Sequence, residues 1–406
     1  MRRILAILAG CSLLAVLLAA PRASAAPSCP RPGVCYSAGS FVPVNGNPVR
    51  VLDTRAGGGA VAPGHTVTAP IRSAGQGNQA LIEVTVPGNA PNGSLSVYPS
   101  DTAWTGRVTM TLVRGGPIQQ QLTVRLGADG GVTVRNNSAA SVHLIVDVLG
   151  FYLAGTPTEA GTFAALDSRI LDTRAGSPLA AGHMLTLSLP GHGGIPAGGA
   201  SAVVLNIAVL SARADGLLGI TDGDGSQATL HMRFVGSPTA PQTMQTERVV
   251  KLSSDGRLTI GQSSAGSVQL VIDLMGYFLP GTDLADGAYV AVSPQPIDRA
   301  RGQLRLYQHR PVTEYPPVPA FETLAYNLVL SDDRPGEPAM LGMYDPESPW
   351  NGSVTVSSTP AGQTTELAVH AGTEDSVSLA NLTAAQWTLL HGYLTGYYWM
   401  FHCVAC

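Results

Sequence analysis

Hydrophobic and polar residues alternate with a period of two along most of the chain. The segment 122–126 has the sequence Leu-Thr-Val-Arg-Leu, and 132–135 has the sequence Val-Thr-Val-Arg. Alternation of this kind indicates strands with one buried and one solvated face. Asp-Gly pairs at Asp129 and Asp255 supply hairpin turns, in which the glycine adopts a positive φ. Long helical periodicity is missing, so the pattern predicts an all-β protein built as β-sandwiches or flattened barrels.

The alternating segments belong to a unit that is used three times. An opening motif, Leu-Asp-Thr-Arg-Ala-Gly with one apolar residue before it, occurs twice and then a third time in degenerate form. The three copies cover 51–57, 170–176 and 296–302. Each is followed by a closing motif, at 147–151, 273–277 and 393–397. Self-similarity at a fixed period predicts tandem repeats of one structural module.

Matching residues inside the repeats give consistent offsets, which fixes the module boundaries. Asp129 to Asp255 and Asp147 to Asp273 both span 126 residues. We place the modules at 41–153, 163–279 and 289–399, the third being degenerate. Short segments rich in Gly, Pro and Thr join them, as expected for linkers. The remaining segments are 1–25, 26–40 and 400–406.

The first 25 residues have the form of an export signal. Two arginines precede an apolar run, and Ala23-Ser24-Ala25 provides a small-residue cleavage site. An alternative is a lipoprotein anchored at Cys11, but apolar residues continue after Cys11 where a lipoprotein would turn polar. No later segment is apolar over the ~20 residues that a membrane-spanning helix requires. The sequence therefore predicts a secreted protein, possible association with the cell envelope, and no transmembrane helix.

Charge and composition narrow the function classes. The formal net charge is −4 and only 12% of residues are charged. No broad basic face is available to hold nucleic acid through its phosphates, so a nucleic-acid partner is excluded. The 47 glycines and 30 prolines fit many short strands joined by turns.

Four cysteines remain after removal of the signal, as two local clusters near the ends of the chain. Cys29 and Cys35 form one cluster, and Cys403 and Cys406 form the other. Two disulfides are expected in an exported protein, and four cysteines allow three pairings. We favour the local pairs, because crossed pairing would require the two ends of a three-module array to meet. A redox-active Cys403–Cys406 pair and a zinc site are the alternatives.

Charged residues recur at the two ends of each module. Asp53 and Arg55 lie two apart in an extended segment, and Arg55 could make a bidentate contact with Asp147 in the last strand. The second module repeats the set as Asp172, Arg174 and Asp273. In the third, the opening motif becomes Asp-Arg-Ala-Arg and the closing aspartate becomes Tyr393, so both halves change together. This favours a structural clasp over a catalytic pair.

These motifs resemble the secreted repeat modules of actinobacteria that open with Arg-x-Leu-Asp-Thr-Arg and close with Asp-Val-x-Gly-Tyr-Phe. The second module, with 169–174 and 271–278, is the best match, the first is good, and the third is degenerate. The resemblance implies an all-β extracellular module, found alone or appended to secreted enzymes. It brings no catalytic residue with it.

Two corresponding loops carry a tryptophan among acceptors. Trp104 follows Asp101, and Trp350 follows Glu347; each tryptophan lies six residues after a tyrosine and two before a glycine. Exposed aromatic surface beside acceptors suits stacking on sugars or contact with a protein. The simpler interpretation, which we favour, is that each tryptophan folds back over its own module or lies between modules.

The same loop of the second module contains two carboxylates and a hydroxyl at alternate residues, Asp222, Asp224 and Ser226. Oxygen ligands of this kind could bind calcium. The loop lacks the remaining ligands of a complete calcium-binding loop, so a tight Asp-Gly turn is the favoured interpretation and no cofactor is predicted.

The sequence thus predicts a secreted, non-enzymatic protein that acts by surface contact. The expected partner is a cell-wall or extracellular polysaccharide, or a surface protein. The alternative is an exported hydrolase or thiol redox enzyme with its site in the divergent third module. The residues that would support that alternative are Tyr307, His309, Asp332, Asp333, Glu337, Asp345, Glu347, Cys403 and Cys406.

Overall fold

The computed structural model gives an all-β protein, as predicted. It describes residues 28–31, 34–44, 48–74, 77–114, 116–222, 230–239, 242–282, 284–296, 309–312, 323–332, 339–344, 355–358, 365–369, 377–381 and 390–399. The only helical elements in these ranges are two short 3-10 turns, Ile71–Ala74 and Thr173–Ala175. No helix in this part of the chain has the length and apolar character needed to cross a bilayer. The predicted signal segment and Cys11 lie outside the described residues.

The first module packs a five-stranded antiparallel sheet on a four-stranded one. A small hairpin precedes it, formed by β1 (Ser28–Arg31) and β2 (Val34–Tyr36). The module's strands are β3 (Phe41–Pro43), β4 (Val49–Asp53), β5 (Thr66–Ala69), β6 (Gln79–Val86), β7 (Gly93–Pro99), β8 (Met110–Leu112), β9 (Ile118–Arg125), β10 (Val132–Asn136) and β11 (Ile145–Tyr152). One sheet has the order β3-β11-β6-β9 with β4 also on β11, and the other has β5-β10-β7-β8. Alternate residues of both sheets fill the core between them.

The second module has the same layout with four strands in each sheet. Its strands are β12 (Phe163–Asp172), β13 (Met184–Ser188), β14 (Ala202–Ala212), β15 (Gly216–Thr221), β16 (Leu230–Phe234), β17 (Gln242–Lys251), β18 (Arg257–Gln262) and β19 (Gln269–Phe278). The sheet orders are β12-β19-β14-β17 and β13-β18-β15-β16.

The third module repeats this strand order, although its motifs are degenerate. Its strands are β20 (Ala288–Pro296), β21 (His309–Val312), β22 (Thr323–Asp332), β23 (Ala339–Tyr344), β24 (Thr355–Ser358), β25 (Thr365–Val369), β26 (Val377–Asn381) and β27 (Leu390–Trp399). The sheet orders are β20-β27-β22-β25 and β21-β26-β23-β24. In every module the first strand pairs with the last.

Aromatic side chains from the three modules meet in one closed ring at the centre of the molecule. Each module supplies one ring from its first strand and one from its last. The six residues are Phe41 and Tyr152, Phe163 and Phe278, and Tyr289 and Tyr398. Neighbouring centroids lie 4.3 to 5.3 Å apart, and the contact between Phe41 and Tyr398 closes the ring. Aromatic contacts of this kind each contribute about 0.5–1.5 kcal/mol beyond the area they bury.

Backbone hydrogen bonds link the modules in the same cyclic order. A glycine with positive φ precedes each first strand, and its carbonyl accepts from the first strand of the next module. The three bonds run from Phe163 N to Gly39 O (2.8 Å), from Tyr289 N to Gly161 O (2.7 Å) and from Phe41 N to Gly287 O (2.9 Å). A Cβ on these glycines would lie 2.2 to 2.8 Å from a backbone oxygen of the facing strand. Only glycine allows this approach.

The three modules therefore form a closed ring around an approximate threefold axis. This overturns the expectation of an array whose ends lie far apart. The amide of Cys35 donates to Asp286 Oδ2 at 2.6 Å, which holds the N-terminal hairpin against the start of the third module. The physical reason is the central aromatic ring, which closes only if the first and third modules are neighbours.

The closing-motif glycine also has a steric explanation. A Cβ at Gly150 would lie 2.4 Å from the ring of Phe41, and one at Gly276 would lie 2.2 Å from the ring of Phe163. The glycine in the last strand thus leaves room for the aromatic residue of the first strand.

Candidate functional site

The predicted clasp of the first module forms with a different arginine. Arg50, not Arg55, binds Asp147, with Nε to Oδ1 at 2.9 Å and Nη2 to Oδ2 at 3.0 Å. Asp147 is buried, and burial raises the pKa of its carboxyl while the hydrogen bonds from Arg50 lower it. The predicted contact between Arg55 and Asp147 is therefore wrong. β4 ends at Asp53, so Arg55 lies on a turn and no longer on the extended segment that the spacing argument assumed.

Arg55 is held instead by Asp53, which also accepts from the Arg55 backbone amide at 3.0 Å. The guanidinium contacts both carboxylate oxygens, at 2.9 and 2.6 Å. These bonds lower the pKa of Asp53 to about 2. Thr54, between them, accepts from Leu144 N at 2.9 Å and so ties the turn to the chain before the last strand. The opening motif is thus a turn in which the aspartate and arginine side chains bind each other.

The second module repeats this arrangement residue for residue. Arg169 binds Asp273 at 2.8 and 3.2 Å, while Arg174 binds Asp172. Hydrogen bonds from Arg174 lower the pKa of Asp172. Arg107 of the first module also reaches Asp273, at 3.3 Å, so this clasp is part of a contact between modules. In the third module residues 297–302 of the opening motif lie outside the described residues, and its first residue, Pro296, pairs with Tyr393 in the strand ladder.

One edge strand from each module lies at the threefold axis. Polar side chains of a neighbouring module accept hydrogen bonds from the backbone amides of these edge strands. Edge strands carry backbone N–H groups that require acceptors when buried. Each of β9, β17 and β25 receives one acceptor from a neighbouring module. The bonds run from Thr123 N to Glu247 Oε1 (2.7 Å), from Val249 N to Glu366 Oε2 (2.8 Å) and from Ala368 N to Gln121 Oε1 (2.7 Å). We call Gln121, Glu247, Arg248 and Glu366 the axial cluster.

The axial cluster surrounds a cavity of about 30 Å³, which has room for a water molecule. Tyr152 and Tyr398 also line it, and their hydroxyls lie 2.5 Å apart. Burial raises the pKa of Glu247 to about 8, and Glu366 adds to the increase. Burial lowers the pKa of Arg248 to about 10 despite the two carboxylates. Glu247 Oε2 is buried and has no hydrogen-bond partner in the part of the chain that the structure describes.

Trp104 folds back over its own module, the interpretation that the sequence favoured. Its Nε1 donates to Ser96 Oγ at 3.0 Å, and the guanidinium of Arg135 lies 4.3 Å from the ring centroid. The residue is still 42% exposed. Asp101 accepts from Ala128 N at 2.9 Å and holds the base of the loop. Trp104 thus covers part of the outer sheet and presents an accessible indole surface.

The outer sheet around Trp104 differs chemically from its counterpart in the second module. On β10, Arg135 pairs with Thr66 of β5; at the corresponding place on β18, Gly261 pairs with Met184 of β13. We call the surface formed by Thr66, Thr68, Tyr98, Trp104 and Arg135 the outer face of the first module. Sequence reasoning found Trp104 and missed Arg135. The sequence signal for Arg135 was that the equivalent residue of the second module, 126 residues later, is Gly261.

The predicted calcium ligand Asp222 is engaged by a serine of the third module and by a lysine of its own module. It is buried; its Oδ2 accepts from Ser293 Oγ at 2.9 Å and lies 3.6 Å from Lys251 Nζ. Asp224, Ser226, Trp350 and Glu347 lie outside the described residues. Among the described residues no group of three or more His, Cys, Asp or Glu side chains could hold a metal ion.

Cys35 is disulfide-bonded. The backbone of Cys29 lies in the strand that pairs with it, while Cys403 and Cys406 lie outside the described residues. The local pairing stays a prediction. The reason we gave for it no longer holds, because the two ends of the three-module unit do meet.

No family model and no curated protein matches the chain. Among solved structures it is similar to Sulfolobus Turreted Icosahedral Virus, with TM-score 0.21 and 10% identity over 88% of this chain and 91% of that chain. It is also similar to the N-terminal CBM22-1-CBM22-2 tandem domain from Paenibacillus barcinonensis Xyn10C, with TM-score 0.17 and 10% identity over 60% of this chain and 94% of that chain. Similarities at this level say nothing about function.

Proposed function

We propose that the protein is a secreted, non-enzymatic surface-contact protein that binds a glycan of the cell envelope or extracellular matrix through the outer face of its first module. The observation that carries the proposal is the exposed indole of Trp104, which contacts Arg135 of β10 on a sheet whose next strand, β5, carries the exposed residues Thr66 and Thr68. An aromatic ring stacks on the apolar face of a sugar, while neighbouring hydroxyls bind its polar edge.

Preorganisation supports this proposal. Trp104 is fixed from below by Ser96 and Arg135, and Ser96 also accepts from Asn137 Nδ2 at 2.8 Å. A ring that is already oriented loses little conformational entropy when a ligand binds. The closed ring of modules adds to the rigidity, because it holds the outer sheet on a single packed unit.

The charged residues at the ends of the first two modules support a non-enzymatic role. Arg50 and Asp147 bind each other, as do Arg55 and Asp53. We therefore assign these four side chains, which bind each other within the module, a role in stabilising the fold. The enzyme alternative depends mainly on third-module residues outside the described ranges, and it stays a prediction.

Sedimentation of the full mature protein with purified cell walls tests the proposal. We expect Trp104→Ala to weaken retention about tenfold, since loss of an aromatic anchor removes both stacking and buried area. Met184→Ala is the matched control, because Met184 is 76% exposed on the equivalent sheet of the second module. Equal retention of the wild type and the Trp104→Ala variant would reject this face as the binding site.

A further inference from the structure

We propose that the ligand of this face is an anionic glycan, and that Arg135 recognises a carboxylate or phosphate carried by the sugar. The inference rests on the proposed function and names the class of glycan. Three properties of Arg135 carry it: the fold does not require it, it forms no ion pair with the described residues, and it lies directly against the exposed indole.

The sandwich does not need an arginine at this place. In the second module Gly261 occupies the equivalent position on the central strand of the outer sheet, and both modules have the same strand order. A neighbouring pair on the same two strands does correspond: Thr68 and Thr133 pair as Thr186 and Thr259 do. The first module therefore carries a cation where the same fold is built without one.

Arg135 has no ion-pair partner among the described residues, unlike its neighbour Arg107. Arg107 binds Asp167 and Asp273 across the module contact and is neutralised there. Arg135 makes no salt bridge with the described residues, and its side chain is only partly buried. Its Nε is buried without a hydrogen bond and is out of reach of a ligand, so an incoming oxyanion would bind the remaining N–H groups of the guanidinium.

The geometry places charge recognition and sugar stacking side by side. The guanidinium of Arg135 lies 4.3 Å from the Trp104 ring centroid, so a ligand on the exposed indole places its substituents within reach of the cation. A planar guanidinium matches both carboxylate and phosphate, and a lysine would not give the same paired hydrogen bonds. A uronic-acid polymer and a phosphodiester-linked wall polymer share this chemistry.

The experiment measures binding of the full mature protein to three polymers at fixed ionic strength: polygalacturonate, carboxyl-reduced polygalacturonate and a phosphodiester-linked wall polymer. We expect one or both charged polymers to bind about tenfold more tightly than the reduced one, as one charge-assisted contact would give. Arg135→Gln should abolish that preference, so that the charged and the reduced polymers bind this variant equally. Arg257→Gln, which removes an exposed charge from the equivalent sheet of the second module, is the matched control.

The outcomes separate the two proposals. Equal binding of charged and reduced polymers, with binding still lost in Trp104→Ala, would overturn the role of Arg135 and retain the glycan site. Absence of binding to all three polymers and to cell walls would overturn the glycan site itself. Polyglutamate binding that is lost in Arg135→Gln would also overturn the inference, because charge would then be recognised without a sugar.

Discussion

Glu247 lies where the three modules meet, and its carboxyl should make the stability of the ring depend on pH. The perturbation is Glu247→Gln, which reproduces at this place the amide that the first module already has in Gln121. The substituted amide oxygen can still accept from Thr123 N, as Glu247 Oε1 does at 2.7 Å. The groups that face the carboxyl are Glu366, Arg248, Tyr152 and Tyr398.

The sign and size follow from the two pKa values. Burial raises the pKa of Glu247 from an ordinary value of 4.5 to about 8. Below pH 4.5 the folded and unfolded states both hold the proton, and the group costs nothing. Between these values the unfolded state loses its proton first, so stability falls by about 1.4 kcal/mol per pH unit. Above pH 8 the cost levels off at about 5 kcal/mol.

Urea unfolding at pH 4.5, 6, 7.5 and 9 measures this pH dependence of stability. Urea is uncharged, so it changes the ionic strength little. The free energy of unfolding of Glu247→Gln minus that of the wild type should rise with pH and reach a plateau near pH 8 to 9. Any cost of burying the extra amide is independent of pH and cancels in the trend. Gln121→Glu should show the opposite trend. A difference that stays constant from pH 4.5 to 9 would show that burial does not hold the proton on Glu247.

Two further pairs of substitutions test the clasp and the ring closure. Arg50→Gln should destabilise the protein by about 3–5 kcal/mol, because it leaves the buried Asp147 without its cation. Arg55→Gln should cost only about 0–1 kcal/mol, because Arg55 lies at the surface. Similar losses of urea stability in the two variants would contradict the assignment of Arg50 as the partner of Asp147. Gly161→Ala should cost about 3 kcal/mol or more, since its Cβ would meet a backbone oxygen of the facing strand. Gly182 also has a positive φ but has open space around it, so Gly182→Ala should cost about 1–2 kcal/mol. Equal shifts in Tm would show that Gly161 makes no close contact.

The strands were predictable from the sequence because their cause is local. Alternation in segments such as 132–135 identifies a strand with one buried face, and Asp-Gly at Asp129 identifies a turn. The partner of Asp147 was mispredicted because the spacing argument extended the strand through Arg55. The chain turns after Asp53, and the Asp53 carboxylate binds Arg55 within this turn. Arg55 therefore does not bind Asp147 in the last strand.

Ring closure could not be deduced from the pattern of a single module. Alternation shows which face of a sheet is buried, but not which edges of different sheets meet. Two signals were nevertheless present: aromatic residues recur in the first and last strands, and β9 contains a polar run, Gln119 to Gln121, that is almost fully buried. Buried amides in an edge strand indicate that another edge is near.

The three modules close into one compact body around the aromatic ring. Small-angle X-ray scattering of the chain from Ala26 onward, roughly 380 residues, measures this closure. Closure predicts a radius of gyration near the ~21 Å of a compact protein of this length and a single-peaked distance distribution. A radius well above that value, with the long tail of a rod of three domains, would contradict the closed ring.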